Sequence, residues 1–102
     1  MTAMLLIVGT FRIAPERLTQ ARSVMARMIE ASRAEDGCHE YVYAEDVLEP
    51  GVVHVKELWR DQAALDRHFG TEHLAAWRTA WTKLQITDRD LRVYEVGEAR
   101  PT

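Results

Sequence analysis

With 102 residues, thirteen Lys and Arg against sixteen Asp and Glu, and a net charge of −3, the chain holds one domain's worth of nearly balanced sequence. That balance excludes a general nucleic-acid binder, which carries a net basic surface, and a polybasic membrane anchor. Apolar residues at 47% and charged residues at 28% specify a packed interior under a wet surface rather than a disordered chain.

Met4 to Ile13 is aliphatic and β-branched and reads as a strand. Pro15 then opens a helix, because a first helical turn does not need the N–H that proline lacks. Leu18, Ala21, Met25, Met28, Ile29 and Ser32 recur at helical spacing and form its buried face, with Gly37 as the stop. Cys38 to Val47 reads as a second strand. Glu49-Pro50-Gly51 is turn chemistry, and Val52 to Trp59 completes a hairpin. Asp61 caps a short helix from Gln62 to His68, and Gly70 breaks it. Thr71 caps the next helix, whose stripe is Leu74, Trp77, Trp81 and Leu84. Asp88 begins the exit, and Leu91 to Val96 is the fourth strand.

The order β-α-β-β-α-α-β predicts an α+β fold. It is a ferredoxin-like split β-α-β with a four-stranded antiparallel sheet and its helices on one face. A single domain is expected over 1–102, with a core at about 4–96 and a loose tail at 97–102. In the first strand Leu5, Ile7, Phe11 and Ile13 point one way and Met4, Leu6 and Val8 the other, so both faces are apolar. Helices cover only one of them, which predicts a homodimer built sheet to sheet. The single cysteine, Cys38, leaves no intramolecular disulfide and no multi-Cys metal site, and suits a reducing cytosol. The N-terminus lacks a secretory pattern, and the run from Met4 to Gly9 is too short to span a bilayer. A cytoplasmic protein with no membrane partner and no nucleic acid is therefore expected.

The glycines are isolated and build no nucleotide-binding loop, and there is no nucleophile elbow. His68 and His73 are five apart with a helix break between them, which is not the i, i+4 pair offered to zinc, so no metal is expected. The informative stretch runs from Glu57 to Leu74. Strand alternation puts Glu57 and Trp59 on one face. A carboxylate against an indole, under helices, is raised in pKa and becomes a candidate base; a neighbouring-strand arginine, Arg12 or Arg92, is the competing partner. His68, late in its helix, looks toward the same space. Tyr41 and Tyr43 share one parity: one of their hydroxyls orients a phenolic ligand, or both sit at a dimer seam with the hydroxyl wet, while Cys38 reads as inert.

The runs Ser32-Arg33-Ala34-Glu35-Asp36-Gly37-Cys38, Glu57-Leu58-Trp59-Arg60-Asp61 and Ala63-Ala64-Leu65-Asp66-Arg67-His68, with Tyr41, Tyr43 and His73, resemble the antibiotic biosynthesis monooxygenase family, especially its quinol-monooxygenase-like branch. The resemblance spans about Leu5 to Val96. It implies a dimeric α/β barrel with a pocket in each subunit, and oxygenation of a hydroquinone or phenol by O₂ without a cofactor. On that pattern His68 and Glu57 are the catalytic candidates, and Trp59, Phe69, His73, Trp77 and Tyr43 bind the substrate. Polyketide-oxidising relatives are similar in using a tyrosine and an asparagine where Val55 and Leu65 stand here. Haem-degrading relatives look alike in a Trp followed by a His, yet they use an asparagine on the first strand, which Leu5 to Ile13 lacks. Haem binding through His68 and a non-enzymatic, dimeric, ligand-binding stress module are the alternatives.

Overall fold

A computed structural model describes residues 3–102; Met1 and Thr2 lie outside the described residues. Strand β1 (Met4–Ile13) leads through a 3₁₀ turn at Pro15–Arg17 into α1 (Leu18–Arg33). Then follow β2 (Cys38–Glu45), β3 (Val52–Trp59), α2 (Gln62–Phe69), α3 (Glu72–Leu84) and β4 (Ile86–Val96). The strands form one antiparallel sheet in the order β2-β3-β1-β4, with the helices on one face. This is the expected ferredoxin-like α+β fold.

Leu5, Ile7, Phe11 and Ile13 are buried under the helices, as their parity requires. Leu18, Ala21, Met25, Met28 and Ser32 of α1 meet them. Burying each of the large side chains contributes about 1.5–3 kcal/mol. The Asp61 side chain caps α2 by accepting from Ala64 N–H at 2.9 Å, and Thr71 Oγ1 caps α3. Gly37 ends the turn after α1 at φ +85°, and a Cβ there would lie 2.5 Å from Ala64 Cβ. None of the described helices is long and apolar enough to cross a membrane.

Two boundaries differ from expectation. β2 stops at Glu45 because Asp46 Oδ1 accepts from Leu48 N–H at 2.8 Å and Glu49 N–H at 3.0 Å, turning the chain early. β4 begins at Ile86, five residues before Leu91. α3 ends at Leu84, Gln85 takes a left-handed conformation (φ 55°), and the chain enters the sheet directly. The polar run Thr87 to Asp90 concealed this strand, since β4 is an edge and its side chains are mostly exposed. Between Thr10↔Asp90 and Arg12↔Thr87 the register shifts, so Asp88 (φ 53°) and Arg89 bulge opposite Phe11. Beside this bulge β4 lies so close that a Cβ on Gly9 would stand 2.0 Å from the Asp90 carbonyl oxygen.

Directly paired residues share a face. Tyr41, Glu57, Ile7 and Val93 therefore form one row across the helix side, with Tyr43, Val55, Gly9 and Leu91 in the next. The outer face carries Leu58, Leu6 and Tyr94 in one row and Val42, Lys56, Val8 and Arg92 in another.

Candidate active site

α1 lies against the β2 side of the sheet, whereas α2 and α3 stand off from the β1–β4 side and leave a cavity of about 230 Å³. Its floor is the sheet row Tyr41, Glu57, Ile7 and Val93 with Tyr43 and Leu91. Its walls are Leu65, His68 and Phe69 from α2 and Leu74, Trp77 and Trp81 from α3. Arg78, Arg89, Arg92 and Gln62 complete the rim. The aromatic rings interlock edge to face: Phe11 lies 5.4 Å from Tyr43 and 6.0 Å from Trp77.

Glu57 is 6% exposed. Burial pushes its carboxyl up to about 7, although Trp59 Nε1–H donates to Oε1 at 3.0 Å and Arg89 lies near enough to favour the anion. Arg12 pairs with Glu49 and Asp88, and Arg92 with Asp90, so neither arginine is its partner. Tyr41 and Tyr43 have their hydroxyls 3.4 Å apart. Burial raises both, Tyr43 to about 12, so both remain protonated donors. Burial likewise pushes the Cys38 thiol to about 11, which keeps it unreactive.

His68 is 2% exposed and lies over Trp59, with ring centroids 4.6 Å apart. Its Nδ1 meets Glu35 Oε2 at 2.6 Å, and His73 Nε2 meets the same oxygen at 2.7 Å. A carboxylate only accepts, so both rings donate to it, and the nitrogen His68 has left for the cavity is Nε2, with its lone pair. Burial lowers the His68 pKa against the opposing pull of Glu35, which keeps the ring neutral and basic near pH 7.

Of the residues singled out from sequence, Glu57, His68, Phe69, Trp77 and Tyr43 stand on the cavity wall. Trp59 and His73, expected there, stand one layer behind: Trp59 is wholly buried and holds Glu57, and His73 holds Glu35. Trp81, named only as part of the α3 stripe, is also on the wall. Glu35 was not singled out for a role, although it sits in the helix-to-glycine loop of the first motif. Nothing local shows that it reaches residues 33 and 38 positions away.

The five-residue spacing of His68 and His73 did not keep them apart, because Glu35 gathers both. The three offer ligand atoms within 4.8 Å of one another, donor types that suit zinc or iron. Two ligands on one tetrahedral zinc stand roughly 3.4 Å apart. The 2.6 and 2.7 Å contacts here are instead charge-assisted hydrogen bonds. A haem does not fit: the cavity, at about 230 Å³, falls below the ~300–1,000 Å³ of drug-sized sites.

The antibiotic biosynthesis monooxygenase family model matches residues 4–80. A crystal structure described as a putative antibiotic biosynthesis monooxygenase from Deinococcus radiodurans superposes with a TM-score of 0.89. It is 28% identical and covers 96% of this chain and 97% of that one. "Putative monooxygenase Rv0793" of Mycobacterium tuberculosis is 32% identical over 78 residues, 76% of each protein. An uncharacterized Synechocystis protein is 27% identical over 96 residues, 94% of this chain, and the chain spans 65% of that relative's length. On the family match, the shared fold and these relatives, the chain belongs to the antibiotic biosynthesis monooxygenase family.

Proposed function

We propose that the cavity oxygenates a hydroquinone or phenol with O₂, using no flavin, haem or metal. One observation carries the reading. A buried carboxyl poised near neutral pH and an imidazole backed by Glu35 face the same aromatic cavity. Triplet O₂ reacts slowly with a neutral quinol, so the protein's task is to make and shelter the electron-rich anion.

His68 Nε2 takes the phenolic proton, and Glu35 steadies the imidazolium that forms. The anion passes one electron to O₂, and the radical pair joins in a carbon–oxygen bond. The imidazolium protonates the peroxide. The C–H bond at the same carbon then gives its electron pair to a new C=O bond as the O–O bond breaks. Glu57 donates a proton to the departing oxygen so that it leaves as water, and the resulting carboxylate takes up the C–H proton. The substrate supplies all four electrons: one oxygen atom enters the product and the other becomes water. The apolar wall holds the pair together and keeps bulk water away. A pocket packed shut by its aromatic rings would favour a non-enzymatic module, whereas here Phe69 and Trp77 border an open cavity, which supports the enzyme reading.

The test is oxygen uptake with menadiol and a panel of dihydroxyaromatics, with labelled O₂ followed into the product. Uptake above autoxidation, with one labelled atom per product, supports the proposal; a rate equal to the protein-free background across the panel removes it. The active form proposed is a homodimer joined through the outer sheet face. There Leu6, Leu58 and Val8 are half-buried and Tyr94 is 48% exposed, all without helical cover. Leu58→Asp is expected to halve the mass measured by sedimentation equilibrium; a wild type already monomeric would refute the dimer.

A further inference from the structure

The rim of the cavity is charged in a way the oxygenation chemistry does not use. Arg78 lies with its guanidinium 5.9 Å from the Phe69 ring centre, and Arg89 with its own 5.4 Å from that of Trp81. All four residues border the cavity. Stacking on an aromatic face fixes a guanidinium's plane and leaves its N–H edge free to donate. Neither arginine has a carboxylate partner among the described residues, whereas Arg12, Arg22, Arg60, Arg67 and Arg92 each have one. Trp81 Nε1 is buried on the same side with no acceptor among the described residues. The rim therefore presents two guanidinium donors with no carboxylate partner among the described residues.

Their field reaches inward. Arg89 is among the influences that favour the Glu57 anion, and Arg78 among those that disfavour a charged His68. The chain as a whole carries −3 and repels anions at long range, so this attraction is local to the cavity. Arg89 owes its place to the β4 bulge, which inserts it opposite Phe11.

We propose that the substrate is a dihydroxyaromatic bearing a carboxylate, which Arg78 and Arg89 clamp at the rim while a ring hydroxyl meets His68 and Glu57 at the floor. The clamp turns a general aromatic cavity into one selective for acids, because a paired guanidinium compensates a carboxylate's lost hydration and an uncharged substituent leaves it unpaired. The identity of the hydroxyl end rests on the oxygenation reading; the anion clamp itself does not.

The experiment compares gentisate, a hydroquinone carrying one carboxylate, with gentisamide, its uncharged amide of the same shape. Binding to the intact protein is measured by calorimetry without oxygen, so no turnover is needed. Gentisate is expected to bind at least roughly tenfold more tightly, with the ratio shrinking as salt is added. In the Arg78→Gln/Arg89→Gln double variant the two affinities should converge to within about twofold, and the double Lys variant should keep part of the preference. Both side chains are exposed, so the fold should survive the change, and gentisamide binding reports on it. Equal affinities in the wild type, no detectable gentisate binding, or a ratio unchanged in the Gln variant would each overturn the clamp. Preferential gentisate binding with oxygen uptake at background would sink the oxygenase reading and leave the clamp standing. Oxygen uptake with uncharged hydroquinones and no acid preference would do the reverse.

Discussion

One sheet carries two kinds of cover. Against α1 the inner face is met by Leu18, Ala21, Met25 and Met28, side chains that fill space and hold no charge. Under α2 and α3 the same face is met by Trp77, Trp81, Phe69 and His68, rigid rings that do not close down on the floor. Methionine is flexible and fills irregular gaps, while planar rings meeting edge to face leave voids between them. The cavity therefore opens on the ring-lined side. The buried Glu57 and His68 stand there, while the buried residues of α1, Leu18, Ala21, Met25, Met28 and Ser32, include no titratable group.

That division can be broken most strongly at His68. His68→Asn keeps a donor near the Nδ1 position for Glu35 and removes the basic nitrogen. Turnover in the oxygen-uptake assay should fall roughly a hundred- to ten-thousand-fold. A loss under threefold would mean the cavity does its chemistry without this ring.

Met25→Ala probes the other half. A cavity left under α1 should cost about 2–5 kcal/mol in urea unfolding while turnover of the folded protein stays unchanged. Turnover falling in step with stability would erase the distinction between the two sides.

The smallest effect sharpens the comparison through pH. The folded carboxyl of Glu57 sits near 7, above its ordinary value of 4.5. A raised folded pKa means the folded state holds the proton longer. The contribution is fully present below pH 4.5 and is lost as pH rises through about 7. It should amount to roughly 3 kcal/mol. His68, whose pKa is lowered, contributes in the opposite sense, its share being lost as pH falls below its ordinary value. Comparing unfolding midpoints of the wild type and Glu57→Gln across this range isolates the carboxyl. Parallel curves would show that Glu57 is not buried in its neutral form.

The legible parts of the molecule were those set by neighbours along the chain. Strand alternation put Glu57 and Trp59 on one face, and the structure joins them by a hydrogen bond. Helical spacing named the inner residues of α1, and Asp61 and Thr71 announced the starts of α2 and α3. The start of β4 was hidden because an exposed edge strand needs no apolar pattern. The family resemblance implied Trp59 on the cavity wall, and parity, which gives a face and not a depth, could not correct it; with His68 packed over its ring, it lies a layer below.

The sequence by itself determined the order of elements, the hairpin, the inner and outer faces of the sheet and the family. The first three rest on periodicities and turn residues that act within a few positions, and the family on the resemblance carried by its motifs. Only the tertiary structure decided that Glu35 meets His68 and His73 across 33 and 38 residues. The same holds for Arg78 and Arg89, which converge on one rim from different elements. Such meetings depend on how far α2 and α3 stand from the sheet, a distance set by the summed shapes of packed rings that no local pattern encodes.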